Sequence, residues 1–311
     1  MSRCYACYHE IKSPGFHEEC SKKMFGATTP PSLEPLSQQL EAYAKEFISQ
    51  KIAITGVQKK LSLHLDPLKE MRFTVVSALG GNYILKPPCI EYNELPQLED
   101  LAMHLARCAG LEVALHCLLP MQDGSLAYVT KRFDRDRKRK MAQEDACQLS
   151  NLLTENKYRS SHERLAKVIR KYSSFVGDDL LRLFELTLLS FICGNSDMHL
   201  KNVSLLQNTK GRYRLSPAYD FLPTRLLIPA HEDPEELALN LNGKKSRFKR
   251  DDFLYYAEYM GLAPKVVDRS FARIKKALPS MLAMVDRSFL SENLKGRFKD
   301  LLRERINRLG L

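Results

Sequence analysis

Gly194-Asn195-Ser196-Asp197-Met198-His199-Leu200-Lys201-Asn202 is followed, eighteen residues after Asn202, by Asp220 within Tyr219-Asp220-Phe221. An Asp, four residues and an Asn, then a second Asp before Phe, is the layout that phosphoryl transfer to a hydroxyl requires. One carboxylate takes the proton of the acceptor hydroxyl. Two oxygen ligands hold a divalent cation against the nucleotide phosphates. Asp197 is the expected base, and Asn202 and Asp220 are the expected magnesium ligands.

The flanks predict the frame for this loop. Residues 178–193 place Leu180, Leu183, Phe184, Leu188, Phe191 and Ile192 at helical spacing, with Asp178 and Asp179 at the start and Gly194 as the stop. Residues 203–206 and 212–215 flank Gln207-Asn208-Thr209-Lys210-Gly211 and read as a hairpin. An Asp-x4-Asn by itself also fits a polar surface turn. Helix, polar loop, hairpin and second Asp in this order favour the catalytic reading.

Upstream, a nucleotide site can be assembled. Residues 52–65 read as two strand-like arms around a loop with Gly56 at its turn, whose backbone N–H groups can cradle phosphate while Lys60 adds a point charge. One glycine between two strands is otherwise only a turn. Residues 82–87 form an apolar strand carrying Lys86, either a solvated edge residue or the lysine that pairs nucleotide phosphates. Residues 97–109 are an amphipathic helix before Gly110, with Glu99 placed to pair with Lys86. Residues 125–134 are a strand running into a charged segment.

These stretches, with Gln143-Glu144-Asp145-Ala146-Cys147-Gln148, Leu215-Ser216-Pro217-Ala218-Tyr219-Asp220 and Leu241-Asn242-Gly243-Lys244-Lys245-Ser246-Arg247-Phe248, resemble the HipA family of serine/threonine kinases, toxins of type II toxin–antitoxin systems. The resemblance covers roughly residues 50–311. It implies an α+β, two-lobed, protein-kinase-like fold with a small mixed β lobe and a larger, mainly helical lobe. It makes Thr55, Gly56, Val57, Gln58 and Lys60 the phosphate loop, Lys86 the phosphate-pairing lysine, and Lys131, Arg132 and Phe133 the adenine hinge. Asp197 is then the base, with His199 and Lys201 beside the phosphates, Tyr219 in the ATP site, and Asn202 and Asp220 on Mg2+. ATP and Mg2+ are the implied cofactors.

Only about fifty residues precede the phosphate loop, too few for the amino-terminal subdomain of long members. The chain therefore resembles the short HipT form, with a HipS-like small protein and a HipB-like DNA-binding antitoxin as implied partners and an aminoacyl-tRNA synthetase as the implied substrate. Family autophosphorylation falls on hydroxyls of the phosphate loop; Ala53 cannot accept phosphate and Thr55 can. The competing readings are a pseudokinase that only binds partners, and a HipA-like kinase with another protein or a small molecule as acceptor.

The amino terminus poses a separate question. Cys4, Cys7, His17 and Cys20 are spaced Cys-x2-Cys-x9-His-x2-Cys. Two close pairs of soft ligands can close a tetrahedral zinc site in a segment too short for its own core. His9 competes with His17 as fourth ligand, and reduced buried cysteines are the alternative to a metal. The expected organisation is a Cys/His-rich segment over 1–26, a linker and short helix over 27–49, an N-terminal kinase lobe over 50–135 and a C-terminal helical lobe over 136–311.

With 311 residues, 44% hydrophobic and 27% charged, the chain reads as globular, without a membrane-length apolar run or a signal-peptide core. A cytoplasmic, bacterial location is the expectation, with secretion into a host leaving no readable mark. The net charge of +11 favours an acidic partner; the densest basic runs are 131–140 and 244–250. No helix-turn-helix or aromatic stacking motif supports direct sequence-specific nucleic-acid binding.

Overall fold

The computed structural model describes residues 2–31, 60–65, 71–76, 80–89, 91–92, 94–121, 123–136 and 139–311. The expectations placed on Ala53, Thr55, Gly56, Val57, Gln58 and the helix at 37–49 lie outside the described residues. The chain divides into two compact units.

The first unit comprises Met1–Leu101, Ala114–Arg132 and Arg287–Leu290. It opens with β1 (Ser2–Arg3), β2 (Glu10–Ile11) and α1 (Glu18–Phe25). An antiparallel sheet follows from β3 (Leu61–Leu65), β4 (Phe73–Val75), β5 (Tyr83–Lys86), β6 (His116–Pro120) and β7 (Leu126–Lys131), in the order β4-β3-β5-β7-β6. Helix α2 (Leu95–Cys108) interrupts the run between β5 and β6. Alternation of side chains along a strand assigns each face. Leu61, Leu63, Leu65, Phe73, Tyr83, Leu85, Cys117, Leu119, Ala127 and Val129 form one apolar core, into which α1 sends Met24 and Phe25. Lys86, next to Leu85, consequently points to the opposite face.

The second unit comprises Ala102–Val113, Phe133–Asp286 and Ser291–Leu311. Its strands are β8 (Arg135–Asp136), β9 (Arg139–Lys140), β10 (Gln143–Asp145), β11 (Ser204–Gln207) and β12 (Tyr213–Leu215), the last three forming an antiparallel sheet. The expected hairpin is β11–β12, with Leu205 opposite Leu215 and Gln207 opposite Tyr213. Its helices are α3 (Ala146–Leu149), α4 (His162–Tyr172), α5 (Val176–Cys193), α6 (Arg250–Tyr259), α7 (Pro264–Arg287) and α8 (Glu292–Arg308). Helix α5 matches the expected 178–193 stretch and is buried along nearly its whole length, packing against α4, α8, α6 and β12.

Helix α7 runs through Pro279, a residue that locally stops a helix, and ends at Arg287. A proline inside a helix removes a hydrogen bond and costs about 3 kcal/mol. Met281 and Val285 continue the buried stripe of Phe271, Ile274 and Ala277 beyond it, and their burial outweighs that cost. Among the described residues, no helix is long and apolar enough to cross a membrane.

Candidate active site

The loop after α5 is built from its cap onward. Gly194 closes the helix at φ 71°, with its N–H on the Phe191 carbonyl (3.1 Å) and the Asn195 N–H on the Ser190 carbonyl (2.8 Å). A Cβ at Gly194 would lie 2.8 Å from Leu301 Cδ2 and 2.9 Å from Arg225 Cβ, so conformation and packing both demand glycine. Buried Asn195 accepts the Asp197 N–H at its Oδ1 (3.1 Å), and Ser196 binds Thr224 through its N–H (2.9 Å) and its hydroxyl (2.7 Å). The Asp197 carbonyl is held twice, by the His199 N–H (2.8 Å) and by Asn202 Nδ2 (3.0 Å). With its amide nitrogen engaged there, Asn202 presents Oδ1 as the end that can ligate a hard cation.

Asp220 is delivered to the same loop by its neighbours. The Tyr219 hydroxyl donates to the Lys201 carbonyl (2.8 Å) and makes a short bond with Ser204 Oγ; Phe221 is fully buried. Between them Asp220 sits at φ 52°, in the left-handed region. That conformation is uncommon outside glycine, tolerated by Asp, and persists only where the surroundings over-determine it. The Asp220 carboxylate acts electrostatically on His199, raising its pKa. Burial wins, aided by the charge of Lys157, and pulls the His199 imidazole down to about 4. His199 is therefore neutral near pH 7, able to hydrogen-bond but carrying no charge. Lys201 is ion-paired with Asp145, 2.8 Å from Nζ to Oδ2. The second unit thus brings together Asp197, His199, Lys201, Asn202, Tyr219 and Asp220.

Two residues of this cluster escaped the sequence reading. The Tyr158 hydroxyl donates to Asp197 Oδ1 at 2.5 Å, and its ring meets His199 edge-on at 4.9 Å. Burial first, then the Asp197 charge, pushes the Tyr158 phenol well above its usual range, so it remains a donor. Asp145 binds Lys201 and also caps α3 in a capping box with Gln148. Asp145 was visible only as part of a family-like stretch. Tyr158 lies 39 residues before Asp197 in an aperiodic segment, and no local rule links the two.

In the first unit, Lys86 Nζ meets Glu99 Oε1 at 2.6 Å, with side-chain exposures of 5% and 0%. Lys86 is thus a buried, ion-paired residue, as the helix placement of Glu99 anticipated, and not a solvated edge lysine. Its Nζ also lies 5.6 Å from the centre of the Tyr128 ring. Lys60 is exposed just before β3. At the expected hinge, the Lys131 N–H is spent on the Leu115 carbonyl (2.8 Å) and the Arg132 N–H on the Asn82 carbonyl (3.0 Å). Both amides are thus engaged within the sheet region of this unit. The Phe133 and Tyr219 rings pack at a tilt of 48°, centroids 5.4 Å apart.

The amino-terminal donors also converge. One ligand atom from each of Cys4, Cys7, His17 and Cys20 lies within 4.8 Å of the others. Cys7 Sγ is 3.4 Å from His17 Nδ1, and the His17 N–H meets Cys4 Sγ at 3.4 Å. His17, not His9, is the histidine in this group. Its Nε2 faces the Glu10 carbonyl at 3.0 Å. A carbonyl only accepts, so Nε2 carries the proton and Nδ1 turns its lone pair toward the sulfurs. The hydrogen bond with Cys7 pulls the Cys4 thiol down to about 4, while Cys7 is held protonated by the same bond and burial raises Cys20. None of the eight cysteines is in a disulfide.

Residues 52–282 match the profile described as HipA-like C-terminal domain. A Haemophilus influenzae protein named "Putative kinase" is 28% identical over 273 residues, covering 80% of this chain and 77% of the relative. "Putative kinase Y4dM" of Sinorhizobium fredii is 30% identical over 232 residues, 70% of this chain, and this chain spans only 56% of that relative. Among solved structures, the Shewanella oneidensis toxin–antitoxin complex of HipA, HipB and operator DNA contains a chain that superposes with a TM-score of 0.73 at 20% identity, covering 90% of this chain and 71% of that one. The Helicobacter pylori proinflammatory kinase CtkA superposes with a TM-score of 0.56 at 18% identity, over 79% of this chain and 93% of that one. These likenesses establish the α+β, kinase-like fold that the family resemblance implies.

Proposed function

The chain belongs to the family of HipA-like C-terminal domains, and on that premise we propose that it is an ATP-dependent serine/threonine protein kinase acting as a toxin of a type II toxin–antitoxin system. The observation that carries the proposal is the convergence of Asp197, Asn202 and the Asp220 segment through the bonds at the Asp197 and Lys201 carbonyls. In this reading residues 50–135 serve as the nucleotide lobe and 136–311 as the catalytic lobe.

Asn202 Oδ1 and the Asp220 carboxylate are hard oxygen donors that fit Mg2+. Magnesium, when bound, neutralises charge on the transferring phosphoryl group. The chain's own residues do the rest. Lys86, fixed by Glu99, orients the nucleotide phosphates. Lys201 and neutral His199 meet phosphate oxygens. Asp197 accepts the proton of the acceptor hydroxyl at one oxygen while Tyr158 holds the other. The pairing of Lys86 with Glu99 is the arrangement that active kinases require, and it speaks against a partner-binding pseudokinase.

The same proposal extends to partners. A HipB-like antitoxin is supported by the HipA–HipB–DNA complex of the Shewanella relative; a HipS-like small protein and an aminoacyl-tRNA synthetase substrate follow from the family resemblance alone. Thr55 is the proposed autophosphorylation site. Zinc is the metal proposed for the four amino-terminal donors, and the cytoplasm is the proposed location, on the strength of eight cysteines without a disulfide. The test is incubation of the protein with γ-labelled ATP, magnesium and a bacterial extract. Label on serine or threonine of a protein in the extract supports the reading; label on neither the extract nor the protein itself refutes it.

A further inference from the structure

We infer that the amino-terminal segment is a zinc knuckle that braces the phosphate-pairing lysine: Zn2+ held by Cys4, Cys7, His17 and Cys20 fixes Tyr8 and Met24, which in turn hold the elements bearing Glu99 and Lys86. The brace rests on the kinase reading only for the purpose of that lysine.

Three soft sulfurs and one imidazole within 4.8 Å are a donor set that selects zinc over hard cations. The Nε2–H bond from His17 to the Glu10 carbonyl is the outer-shell contact that ligating histidines make. Binding displaces the remaining thiol protons to solvent, leaving thiolates on the metal. The segment packs Met24, Phe25 and Tyr8 against the rest of the unit but has no core of its own to fix its turn. Two strands of two residues and one helix of eight are too small for a core of their own. Its turn closes on Cys4, whose N–H binds the His9 carbonyl (2.9 Å) and whose carbonyl accepts the Tyr8 N–H (3.0 Å).

Two hydrogen-bonded routes, one from that turn and one from α1, lead toward the ion pair, all within the first unit. Tyr8 sits at φ 63°, a strained conformation for a bulky residue, with its ring fully buried edge-on to Phe289. Its hydroxyl donates to Asp100 Oδ2 at 2.6 Å, and His116 Nδ1 meets Asp100 Oδ1 at 2.6 Å. Asp100 is the residue after Glu99. On the other route, the Met24 carbonyl accepts the Tyr83 hydroxyl at 2.8 Å, and Tyr83 is three residues before Lys86 on β5. Both partners of the ion pair therefore sit on elements tied to the knuckle. Without the ion, the turn that holds Tyr8 in its strained conformation loses its cross-link.

The test uses the full-length protein, purified without chelator, then stripped of metal with a chelator under reducing conditions and reloaded with Zn2+. The inference expects about one zinc per chain. Amide hydrogen exchange across residues 83–86 and 95–101 should rise at least roughly tenfold on stripping and fall back on reloading. Tyr8→Phe retains all four donors; it should keep its zinc yet show faster exchange across 95–101. Less than about a third of a zinc per chain, or exchange unchanged by stripping and by Tyr8→Phe, overturns the inference. A separate nucleotide-binding measurement on the zinc-loaded protein guards the distinction. If it binds no ATP while exchange responds to zinc as expected, the kinase reading falls and the brace stands.

Discussion

Replacing Lys86 by Met tests whether the Lys86–Glu99 pair works as one buried unit. Both side chains are shielded from water, at 5% and 0% exposure, and their charged atoms are 2.6 Å apart. Removing the ammonium leaves the Glu99 carboxylate in a site built for an ion pair. Breaking a buried pair from one side costs about 3–5 kcal/mol, whereas replacing both partners with apolar side chains is often close to neutral. Lys86→Met and Glu99→Leu should therefore each lose about 3–5 kcal/mol, and the double variant about 1–2 kcal/mol. The coupling in the double-mutant cycle should exceed about 2 kcal/mol. Urea unfolding followed by circular dichroism supplies the readout, since the chain has no Trp. The double variant should fold yet fail to bind ATP, which separates the stability of the pair from its function. Additivity within about 0.5 kcal/mol would refute the reasoning about desolvation. Wild-type ATP affinity in the double variant would refute the role given to Lys86.

Three further outcomes follow from the second unit. Tyr158→Phe removes the hydroxyl bonded to Asp197; a hydrogen bond to a charged group is worth about 1.5 kcal/mol, so kcat should fall about tenfold with acceptor KM unchanged. An unaltered kcat would strip Tyr158 of its positioning role. Gly194→Ala combines a left-handed backbone with contacts of 2.8 and 2.9 Å, so denaturation should show a loss of about 2–4 kcal/mol, with reduced phosphoryl transfer as the loop shifts. His162 is fully buried, and desolvation lowers its pKa from 6.5 to about 3. The unfolded chain binds this proton first on acidification, so stability held above pH 6.5 should drain away between 6.5 and 3. Urea midpoints measured across that window should slope downward toward acid, and His162→Gln should flatten the slope.

Much of the active loop was legible because its signals are local. Helix α5, its Gly194 stop and the β11–β12 hairpin each obey short-range rules of spacing and capping, so the interval from Asp197 to Asp220 could be given a shape. The pairing of Lys86 with Glu99 was legible for a related reason: a lone lysine on an apolar strand finds an acid in the first turns of the next helix. The hydrogen bonds that complete the site were not legible. Tyr158 to Asp197, Tyr8 to Asp100 and Tyr83 to Met24 join residues 39, 92 and 59 positions apart. Nothing in the periodicity around a tyrosine records what its hydroxyl will meet. The extension of α7 through Pro279 shows the opposite failure, where a strong local stop was overridden by continued burial of Met281 and Val285. The strand at 125–134 was foreseen from its composition, while the bonds of the Lys131 and Arg132 amides to Leu115 and Asn82 depend on register, which composition does not record.

The most direct measurement of the central claim is transfer of γ-labelled phosphate by the wild-type protein, Asp197→Asn and Asp220→Asn, side by side with magnesium and with excess chelator. The wild type should transfer label to serine or threonine only when magnesium is present, and both variants should fall by at least about a thousandfold while unfolding like the wild type. Label transferred equally well by either variant, or by the wild type in chelator, would contradict the account.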